Sequence, residues 1–352
     1  MGLNERKLRI LQAIISDFIY SAEPVGSRTL SKKYDMGISP ATIRNEMSDL
    51  EEMGFLTHPH TSAGRVPSDK AYRLYVNDLM KKYEISEDEK KRISEKLAGS
   101  VMEFDKTIQH AASLLSELTN LTAFAMTPKP EKDIIKYIQL MPVDAITVIL
   151  MIVSESGKVS NTALKLTVPY TEEGIELIGK ALTYNYKGKS ITEALKLDII
   201  KTFESDIEAM SNLAQNIMPN FLKTLERMLD VNLYMDGLTN IFSFPEYNDI
   251  DKAKVFLKML DNKDEFRDIL INRENGVIIT IGDENQDDMI RDCSLITATY
   301  HVDGELAGKI GVIGPKRMKY DEVTSIIEYV TENLNNTFKL EAGKLPEGSE
   351  NE

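Results

Sequence analysis

The sequence predicts a multidomain α+β protein, and three observations support this fold class. Residues 4–75 combine apolar residues at helical spacing with a short hairpin pattern that leads into another helix. Strand-like segments bounded by Pro, Gly and charged turns occur at 121–168 and again at 276–313. Between them, residues 193–230 are strongly helical in pattern. With 352 residues, the chain is long enough for two or three domains with cores of their own.

The most informative element is a helix that begins at Pro40. Ser39 is a good N-cap because its hydroxyl can accept a hydrogen bond from a free amide of the first turn, and Pro40 loses a donor that had no partner there. Apolar residues at helical spacing predict one buried face of this helix, and they are Ile43, Met47, Leu50 and Met53. The other face carries short, amide or guanidinium side chains, which are the types that reach phosphates and base edges in a major groove.

The segments around this helix complete a recognisable layout. Residues 4–20 form an amphipathic helix, and a short second helix follows over Arg28–Tyr34. Gly54 stands where a helix end favours a left-handed residue, and a hairpin is predicted from Phe55 to Pro67. Three helices and a two-stranded hairpin within 1–84 indicate a winged helix-turn-helix DNA-binding domain.

The rest of the chain is predicted as alternating helical and sheet segments. In order, these are a linker helix over 85–120, a sheet segment over 121–192, a mostly helical block over 193–262, a second sheet segment over 263–343 and a disordered tail over 344–352. The apolar stripe of the linker helix fits either packing on its own domain or a seam between two subunits.

Charge is distributed unevenly along the chain. The net charge is −14, but residues 1–82 hold 12 Lys/Arg and 10 Asp/Glu, a net of +2, and the remainder holds 30 against 46, a net of −16. The positive excess therefore coincides with the helix and hairpin, and the acidic remainder should repel DNA from other faces.

Composition and motifs argue against several other classes of protein. The amino terminus has no apolar signal region, and the longest apolar run, 145–153, is too short to span a bilayer. A single cysteine, Cys293, fits a reducing cytoplasm, so we expect a cytoplasmic protein without a membrane partner. The four histidines form no catalytic or metal-binding pattern, and Gly188-Lys189-Ser190 lacks the first glycine of a phosphate-binding loop. We expect no enzyme activity, no cofactor and no metal.

The candidate DNA-binding residues fall into groups by role. Isolated surface charges usually only solvate a protein, but these cluster on the elements that the predicted layout brings to one side. The base-edge candidates are Ser39, Thr42, Arg44 and Asn45; the phosphate candidates are Arg28, Lys32 and Lys33; the hairpin candidates are His60, Thr61, Ser62 and Arg65; and Lys70 and Arg73 follow the hairpin.

Three stretches resemble the HrcA family of bacterial heat-inducible transcription repressors. They are VGSRTLSKKYDMGISPATIRNEMSDLEEMGFL, HPHTSAGRVPSDKAYRLYV and, near the carboxyl terminus, ITATYHVDGELAGKIGVIGPKRMKYDEV. The resemblance implies that the sheet segments form a GAF-like domain and that 193–262 is an inserted dimerisation domain. It also implies a homodimer that binds the inverted-repeat operator CIRCE upstream of chaperone genes, with activity maintained by the chaperonin GroEL and lost on heat stress.

One alternative stays open at this point. A GAF-like domain often holds a ligand, so the chain could instead be a small-molecule-responsive transcription regulator. No cluster of convergent polar residues in the sequence indicates such a pocket.

Overall fold

The computed structural model describes residues 3–59, 64–98, 104–127, 133–167, 170–197, 208–302 and 305–342. It is a mixed helix and sheet structure, consistent with α+β. The elements in chain order are α1 (Glu5–Ser21), α2 (Ser27–Lys33), α3 (Pro40–Glu52), β1 (Leu56–Thr57), β2 (Val66–Pro67), α4 (Asp69–Leu74), α5 (Glu87–Ala98), α6 (Phe104–Thr119), β3 (Thr122–Met126), β4 (Ile135–Pro142), β5 (Thr147–Ser154), β6 (Val159–Lys165), α7 (Glu172–Tyr186), α8 (Ile191–Leu195), α9 (Glu208–Met228), β7 (Leu233–Asp236), α10 (Ile250–Asp261), α11 (Lys263–Ile271), β8 (Ile278–Ile281), β9 (Cys293–Val302), β10 (Glu305–Pro315) and α12 (Tyr320–Ala342).

The chain divides into two compact units. Unit 1 contains 1–99, 109–126 and 233–352, and unit 2 contains 100–108 and 127–232. Within the described part of the chain, we find no helix that is both long and apolar enough to cross a membrane.

Unit 1 begins with the three helices and the hairpin that the sequence predicts. Helices α1, α2 and α3 bury Ile14, Leu30 and Ile43, and β1 pairs antiparallel with β2. After β2, the short helix α4 continues as one turn of π-helix over Tyr75–Leu79. The regular secondary structure of the three-helix and hairpin segment therefore ends near residue 79.

The sheet of unit 1 is antiparallel and has the strand order β7-β3-β10-β9-β8. Strand β9, which lies between β10 and β8, is buried at every position from Cys293 to Tyr300. A strand is buried on both sides only when other elements cover both faces of the sheet. Tyr300 contacts Phe338 of α12 on one face, and Phe124 of β3 contacts Phe266 of α11 on the other.

Unit 2 has a separate three-stranded antiparallel sheet, β4-β5-β6. Along β5, buried and half-buried residues alternate, so only one face of this sheet meets a core. That core includes Leu150 and Leu164 of the sheet, Leu182 of α7 and Phe221 of α9, whose ring lies 4.7 Å from the ring of Tyr186 between centroids.

The division of the chain differs from the segment boundaries predicted from sequence. Strands β4–β6 were assigned to the sheet segment 121–192, but they pair only with one another among the described residues and lie in unit 2. Residues 233–262, assigned to the helical block, belong to unit 1, where β7 pairs with β3. The reason is that a strand pattern records which residues are buried but carries no information about which sheet supplies the hydrogen-bond partner.

The predicted linker helix, 85–120, corresponds to α5 and α6, with 99–103 outside the described residues. Ile93, Leu97, Ile108 and Leu115 are all buried within the single chain. This burial favours packing of the stripe on its own chain over a seam between subunits. The predicted tail, 344–352, also lies outside the described residues.

Candidate nucleic-acid interface

Helix α3 has the features that its sequence predicts. The Ser39 hydroxyl accepts a hydrogen bond from the Thr42 amide at 3.2 Å and lies 3.0 Å from the Thr42 hydroxyl. Ile43, Met47 and Leu50 are buried, whereas Met53 is half-buried. The polar groups of Ser39 and Thr42 are therefore engaged with each other at the start of the helix. The buried stripe determines which face of α3 meets solvent.

The solvent face of α3 presents Arg44 and Asn45. Both side chains are exposed, and neither makes a hydrogen bond or an ion pair within the described part of the chain. On the buried side, Glu46 accepts from Lys7 of α1 at 2.6 Å and from Arg6 at 3.3 Å. This contact joins α1 to α3, so the orientation of the exposed face is set by the core and by charge pairing together.

Helix α2 carries three candidate cations, and the structure separates them. Arg28 and Lys32 are exposed, lie one turn apart and have no partner among the described residues. Lys33 instead forms an ion pair with Asp17, whose side chain is 8% exposed and also accepts from the Tyr34 hydroxyl at 3.1 Å. Lys33 therefore neutralises a buried carboxylate, and of the three cations only Arg28 and Lys32 are unpaired among the described residues.

The hairpin is held to the core through Arg65. The backbone of Arg65 exchanges two hydrogen bonds with Val25, each 2.9 Å long, and its guanidinium donates to Glu51 at 2.7 Å. A Cβ on Gly64 would lie 2.6 Å from the Val25 backbone, so the chain passes there only because residue 64 has no side chain. The predicted hairpin contacts His60, Thr61 and Ser62 lie outside the described residues.

Glu51 binds two side chains of the hairpin. It is hydrogen-bonded to His58 as well as to Arg65. Burial acts to raise the pKa of the Glu51 carboxyl, but the hydrogen bond with His58 and the charge of Arg65 outweigh it and leave the pKa below its ordinary value. Arg65 is thus a partly neutralised cation at the base of the hairpin.

The two candidate DNA-binding residues that follow the hairpin, Lys70 and Arg73, are bonded to other groups of unit 1. Lys70 donates to the Met53 carbonyl at 2.9 Å and lies over the Phe55 ring. Arg73 donates through Nε to Glu284 at 2.7 Å and through Nη2 to the Ile279 carbonyl at 2.6 Å. Arg73 therefore connects α4 to the sheet, and its guanidinium is not free in this arrangement.

Sequence reasoning missed the acids that engage these cations. Glu51 lies 14 residues from Arg65, and Glu284 lies 211 residues from Arg73. The pair of Glu51 and Arg65 could have been suspected, since the predicted hairpin brings a helix end close to its return strand. No local signal links Glu284 to Arg73.

Together these features define a mixed α and β protein whose three-helix and hairpin segment presents an exposed polar helix face bordered by uncompensated cations. The family model described as HrcA protein C terminal domain matches residues 105–324 of the chain. The chain belongs to the HrcA family.

Curated relatives match along nearly the whole chain. The heat-inducible transcription repressor HrcA of Alkaliphilus metalliredigens strain QYMF is 41% identical over 340 residues, which cover 96% of this chain and 99% of the relative. The protein of the same name from Clostridioides difficile strain 630 is 42% identical over 339 residues, covering 95% and 99%.

A solved structure shares the fold. A crystal structure described as that of a hypothetical protein has a TM-score of 0.64 and 23% identity, and the match covers 96% of this chain and 99% of the other.

Proposed function

We propose that this chain is a heat-inducible transcription repressor that binds DNA through the solvent face of α3. The observation that carries the proposal is the exposed pair Arg44 and Asn45, which has no partner among the described residues on a helix whose other face is buried. Guanidinium and amide groups are the side chains that pair with guanine and adenine edges in a major groove. The names of the curated relatives support the repressor role.

In this proposal, residues 1–84 act as a winged helix-turn-helix domain. Helix α3 is the recognition helix, Arg28 and Lys32 of α2 anchor phosphates beside the groove, and the hairpin with His60, Thr61 and Ser62 is the wing. Arg65 acts mainly by fixing the base of the wing, since Glu51 engages its guanidinium. Lys33, Lys70 and Arg73 have structural roles first, because each is bonded to a group of its own chain.

We further propose that the protein is a homodimer that reads the inverted repeat CIRCE. A two-fold symmetric dimer presents two recognition helices to two half-sites. The dimerisation domain in this proposal is unit 2, with the boundaries that the structure gives. In its favour, Leu177 and Tyr184 of α7 and Tyr137 of β4 expose apolar surface, with Tyr184 89% exposed. The sheet of unit 1 is the GAF-like domain.

The test is a fluorescence-anisotropy titration of the full-length protein with a CIRCE duplex and with a scrambled duplex of equal length, at two salt concentrations. Selective binding to CIRCE is expected. If Arg44 reads a guanine, Arg44→Ala weakens CIRCE binding by about 1–3 kcal/mol and leaves scrambled-duplex binding almost unchanged. Lys82→Ala is the control, since this cation is 81% exposed and lies outside the proposed interface. Equal binding to both duplexes by the unaltered protein would contradict the repressor proposal.

The role of GroEL is tested in the same titration with and without the chaperonin, before and after a heat pulse. We expect GroEL to raise the fraction of protein that binds CIRCE and to restore binding after heating. A fraction that stays the same in all four conditions would remove GroEL from the proposal and leave the DNA-binding part intact.

A further inference from the structure

Helix α1 ends without the donors that its last carbonyl groups need. In a regular helix, each carbonyl accepts a hydrogen bond from the amide four residues later. For Ile19 that amide belongs to Glu23, which instead donates to the Ser21 hydroxyl at 3.1 Å. For Tyr20 the residue four positions later is Pro24, which has no amide hydrogen. The turn that follows α1 therefore leaves these two carbonyls without a donor from the helix.

The charge at this helix end is also uncompensated within α1. The carboxyl end of a helix carries partial negative charge, which a basic residue in the last turn can offset. The last turn of α1 contains no basic residue. A cation supplied by a distant segment of the chain can therefore both donate to an open carbonyl and offset this charge.

Arg317, in the loop between β10 and α12, supplies that cation. Its Nη1 donates to the Ile19 carbonyl at 2.5 Å. The same guanidinium donates to Glu246 through Nε at 2.6 Å and through Nη2 at 3.1 Å. The Arg317 side chain is 11% exposed, so these bonds are largely shielded from water. Arg317 thus joins three segments, which are the end of α1, the turn at 245–247 and the loop that leads into α12.

A guanidinium suits this set of bonds better than an ammonium does. Arginine presents its donors in a planar fork, whereas the lysine ammonium is a compact point charge. The two bonds to Glu246 fix the plane of the Arg317 guanidinium, because a carboxylate accepts them side by side. With that plane fixed, Nη1 has one direction, and the Ile19 carbonyl lies along it. The contact therefore determines the orientation of α1 as well as its distance from the loop.

Helix α1 carries this orientation to α3. Lys7, in the first turns of α1, pairs with Glu46 at 2.6 Å and with Asp49 at 2.8 Å, and both acids belong to α3. Ile14 of α1 and Ile43 of α3 are fully buried in the same segment. Helices α1 and α3 are thus joined by charge pairing and by the core, so a change in the position of α1 also moves α3.

Arg317 provides a second attachment of the three-helix and hairpin segment to the sheet domain. The first attachment is at α4, where Asp69 accepts from Lys316 at 3.0 Å and Arg73 donates to Glu284 at 2.7 Å. A body that is held through one helix can still rotate about that helix. The bond of Arg317 to α1 acts on a different helix of the segment, so it restricts this rotation.

We propose that Arg317 is a positioning residue for operator recognition, which sets the angle at which the three-helix and hairpin segment stands on the sheet domain. The inference rests on the proposed function, in which a two-fold dimer reads two half-sites of one duplex. Two half-sites are bound together only when their separation matches that of the two recognition helices. Arg317 therefore controls the selectivity for operator spacing and contacts no DNA itself.

The first test compares three duplexes, which are CIRCE, CIRCE with its spacer lengthened by about five base pairs, and a duplex with a single half-site. The insertion rotates the second half-site by half a helical turn. Binding to the full-length protein is measured by fluorescence anisotropy. We expect the unaltered protein to prefer CIRCE strongly over the lengthened duplex. Arg317→Met should lower this preference several-fold and leave the affinity for the single half-site unchanged.

Two further variants make this result specific to the guanidinium. Arg317→Lys keeps the charge and loses the planar fork, so it should also lower the preference, and it replaces Arg317→Met if that variant does not fold. Arg291→Met is the matched control, since Arg291 pairs with Asp288 at 2.7 Å and has no bond to α1 among the described residues. An unchanged preference in the Arg317 variants, or a parallel loss of affinity for all three duplexes, would overturn the proposal.

The second test needs no DNA. Nitroxide labels are attached at Ser48→Cys on α3 and at Lys263→Cys on α11, two exposed positions, and the labelled chains are diluted with unlabelled protein. Cys293 is 3% exposed, so the labels react at the introduced cysteines. Double electron–electron resonance should give a narrow distance distribution in the protein with Arg317 and a broader one with Arg317→Met. Equal widths would overturn the positioning role.

The two tests separate failure of this inference from failure of the proposed function. If the unaltered protein does not distinguish CIRCE from a scrambled duplex, the repressor proposal fails, and the role of Arg317 in operator spacing fails with it. If CIRCE selectivity is present and the Arg317 variants keep both the preference for CIRCE over the lengthened duplex and the narrow distance distribution, only the positioning role is overturned.

Discussion

At the scale of single residues, a cation of the three-helix segment is free to contact DNA only if no carboxylate of the same chain pairs with it. Lys32 and Lys33 are neighbours in sequence and both are exposed at the end of α2. Lys33 compensates Asp17, whose carboxylate is buried, whereas Lys32 has no partner among the described residues. Two adjacent lysines thus have different roles, and two alanine substitutions can separate these roles.

We expect Lys33→Ala to lower the free energy of unfolding more than Lys32→Ala does, because it leaves the Asp17 carboxylate buried without its cation. Lys32→Ala should change stability by less than about 0.5 kcal/mol and should weaken DNA binding instead. Denaturant unfolding and duplex titration of the two variants give both quantities. Equal stability losses in the two variants would contradict the assignment.

Glu51 gives the hairpin base a dependence on pH. Its pKa in the folded protein is lower than its ordinary value of 4.5, so the unfolded chain binds the proton more readily. The stability that Glu51 contributes is therefore complete above about pH 4.5 and is lost as the pH falls through the lowered pKa.

We expect the stability difference between the unaltered protein and Glu51→Gln to shrink as the pH falls below about 4.5 and passes through the lowered pKa of Glu51. Melting temperatures at four pH values measure it. Glu52→Gln controls for the loss of a charge in the same turn, since Glu52 has no ion pair in the described part of the chain. A difference that grows as the pH falls would contradict the assignment.

At the scale of elements, α4 is the connection between the three-helix segment and the sheet. Asp69 accepts from Lys316 and from the Asp283 amide, Tyr72 lies 5.8 Å from Tyr320 between ring centroids, and Arg73 binds Glu284. Three residues of one short helix therefore face the sheet domain. A helix of six residues has little stability of its own, so these contacts hold it in place.

Arg73→Ala should lower the free energy of unfolding by about 1–3 kcal/mol, the usual range for losing hydrogen bonds of a charged group. Its effect on CIRCE affinity should be smaller than that of Arg44→Ala. Denaturant unfolding and anisotropy titration measure the two effects. A large loss of affinity with unchanged stability would instead assign Arg73 to the DNA interface.

Two glycines flank β8, and the one after it, Gly282, lies where α4 and the sheet approach each other closely. Gly282 has a φ of +58°, and a Cβ there would lie 1.8 Å from an Asp69 carboxylate oxygen. Gly276 has a φ of +91° and nothing within 4 Å of a Cβ. The two glycines share a left-handed backbone and differ in their surroundings.

Gly276→Ala should therefore lower the free energy of unfolding only by the backbone strain, about 1–2 kcal/mol. Gly282→Ala should lower it by a further ~1–3 kcal/mol, because the added methyl group also displaces Asp69. Melting temperatures of both variants measure the difference. Equal losses would mean that α4 moves away from the sheet at little cost.

At the scale of the whole molecule, charge limits where DNA can bind. The chain carries −14, whereas residues 1–82 carry 12 positive and 10 negative side chains, a net of +2. Several of those twelve cations already form ion pairs within the chain; they include Lys7, Lys33, Arg65 and Arg73. DNA binding should therefore rest on few phosphate contacts.

If Arg28 and Lys32 each meet one phosphate in both subunits of a dimer, four contacts give a slope of about −4 for the logarithm of the binding constant against the logarithm of salt concentration. Lys32→Ala should reduce the slope to about −2. Titrations at four salt concentrations measure both values. A slope near −10 in the unaltered protein would mean that cations now paired within the chain are released to the DNA.

The sequence alone determined the features that depend on neighbours within a few residues. The Ser39 cap, the Pro40 start, the buried stripe of α3, the left-handed Gly54 and the hairpin after it were all predictable and are present. Helix caps, helical spacing and turn residues act over one or two turns of chain, so their physical cause lies in the sequence itself. The resemblance to the HrcA family, carried by the same residues, was also available at that level.

Only the tertiary structure decided which strands share a sheet and which cations are free. Strands β4–β6 have the same local pattern as other strands, yet they form a sheet of their own in unit 2. Arg73 looks like any cation beside a hairpin until Glu284, 211 residues away, is brought to it. Hydrogen-bond partners in sheets and counter-ions of surface charges come from segments far apart in sequence. Their identity is therefore settled when the chain folds and leaves no local signal in the sequence.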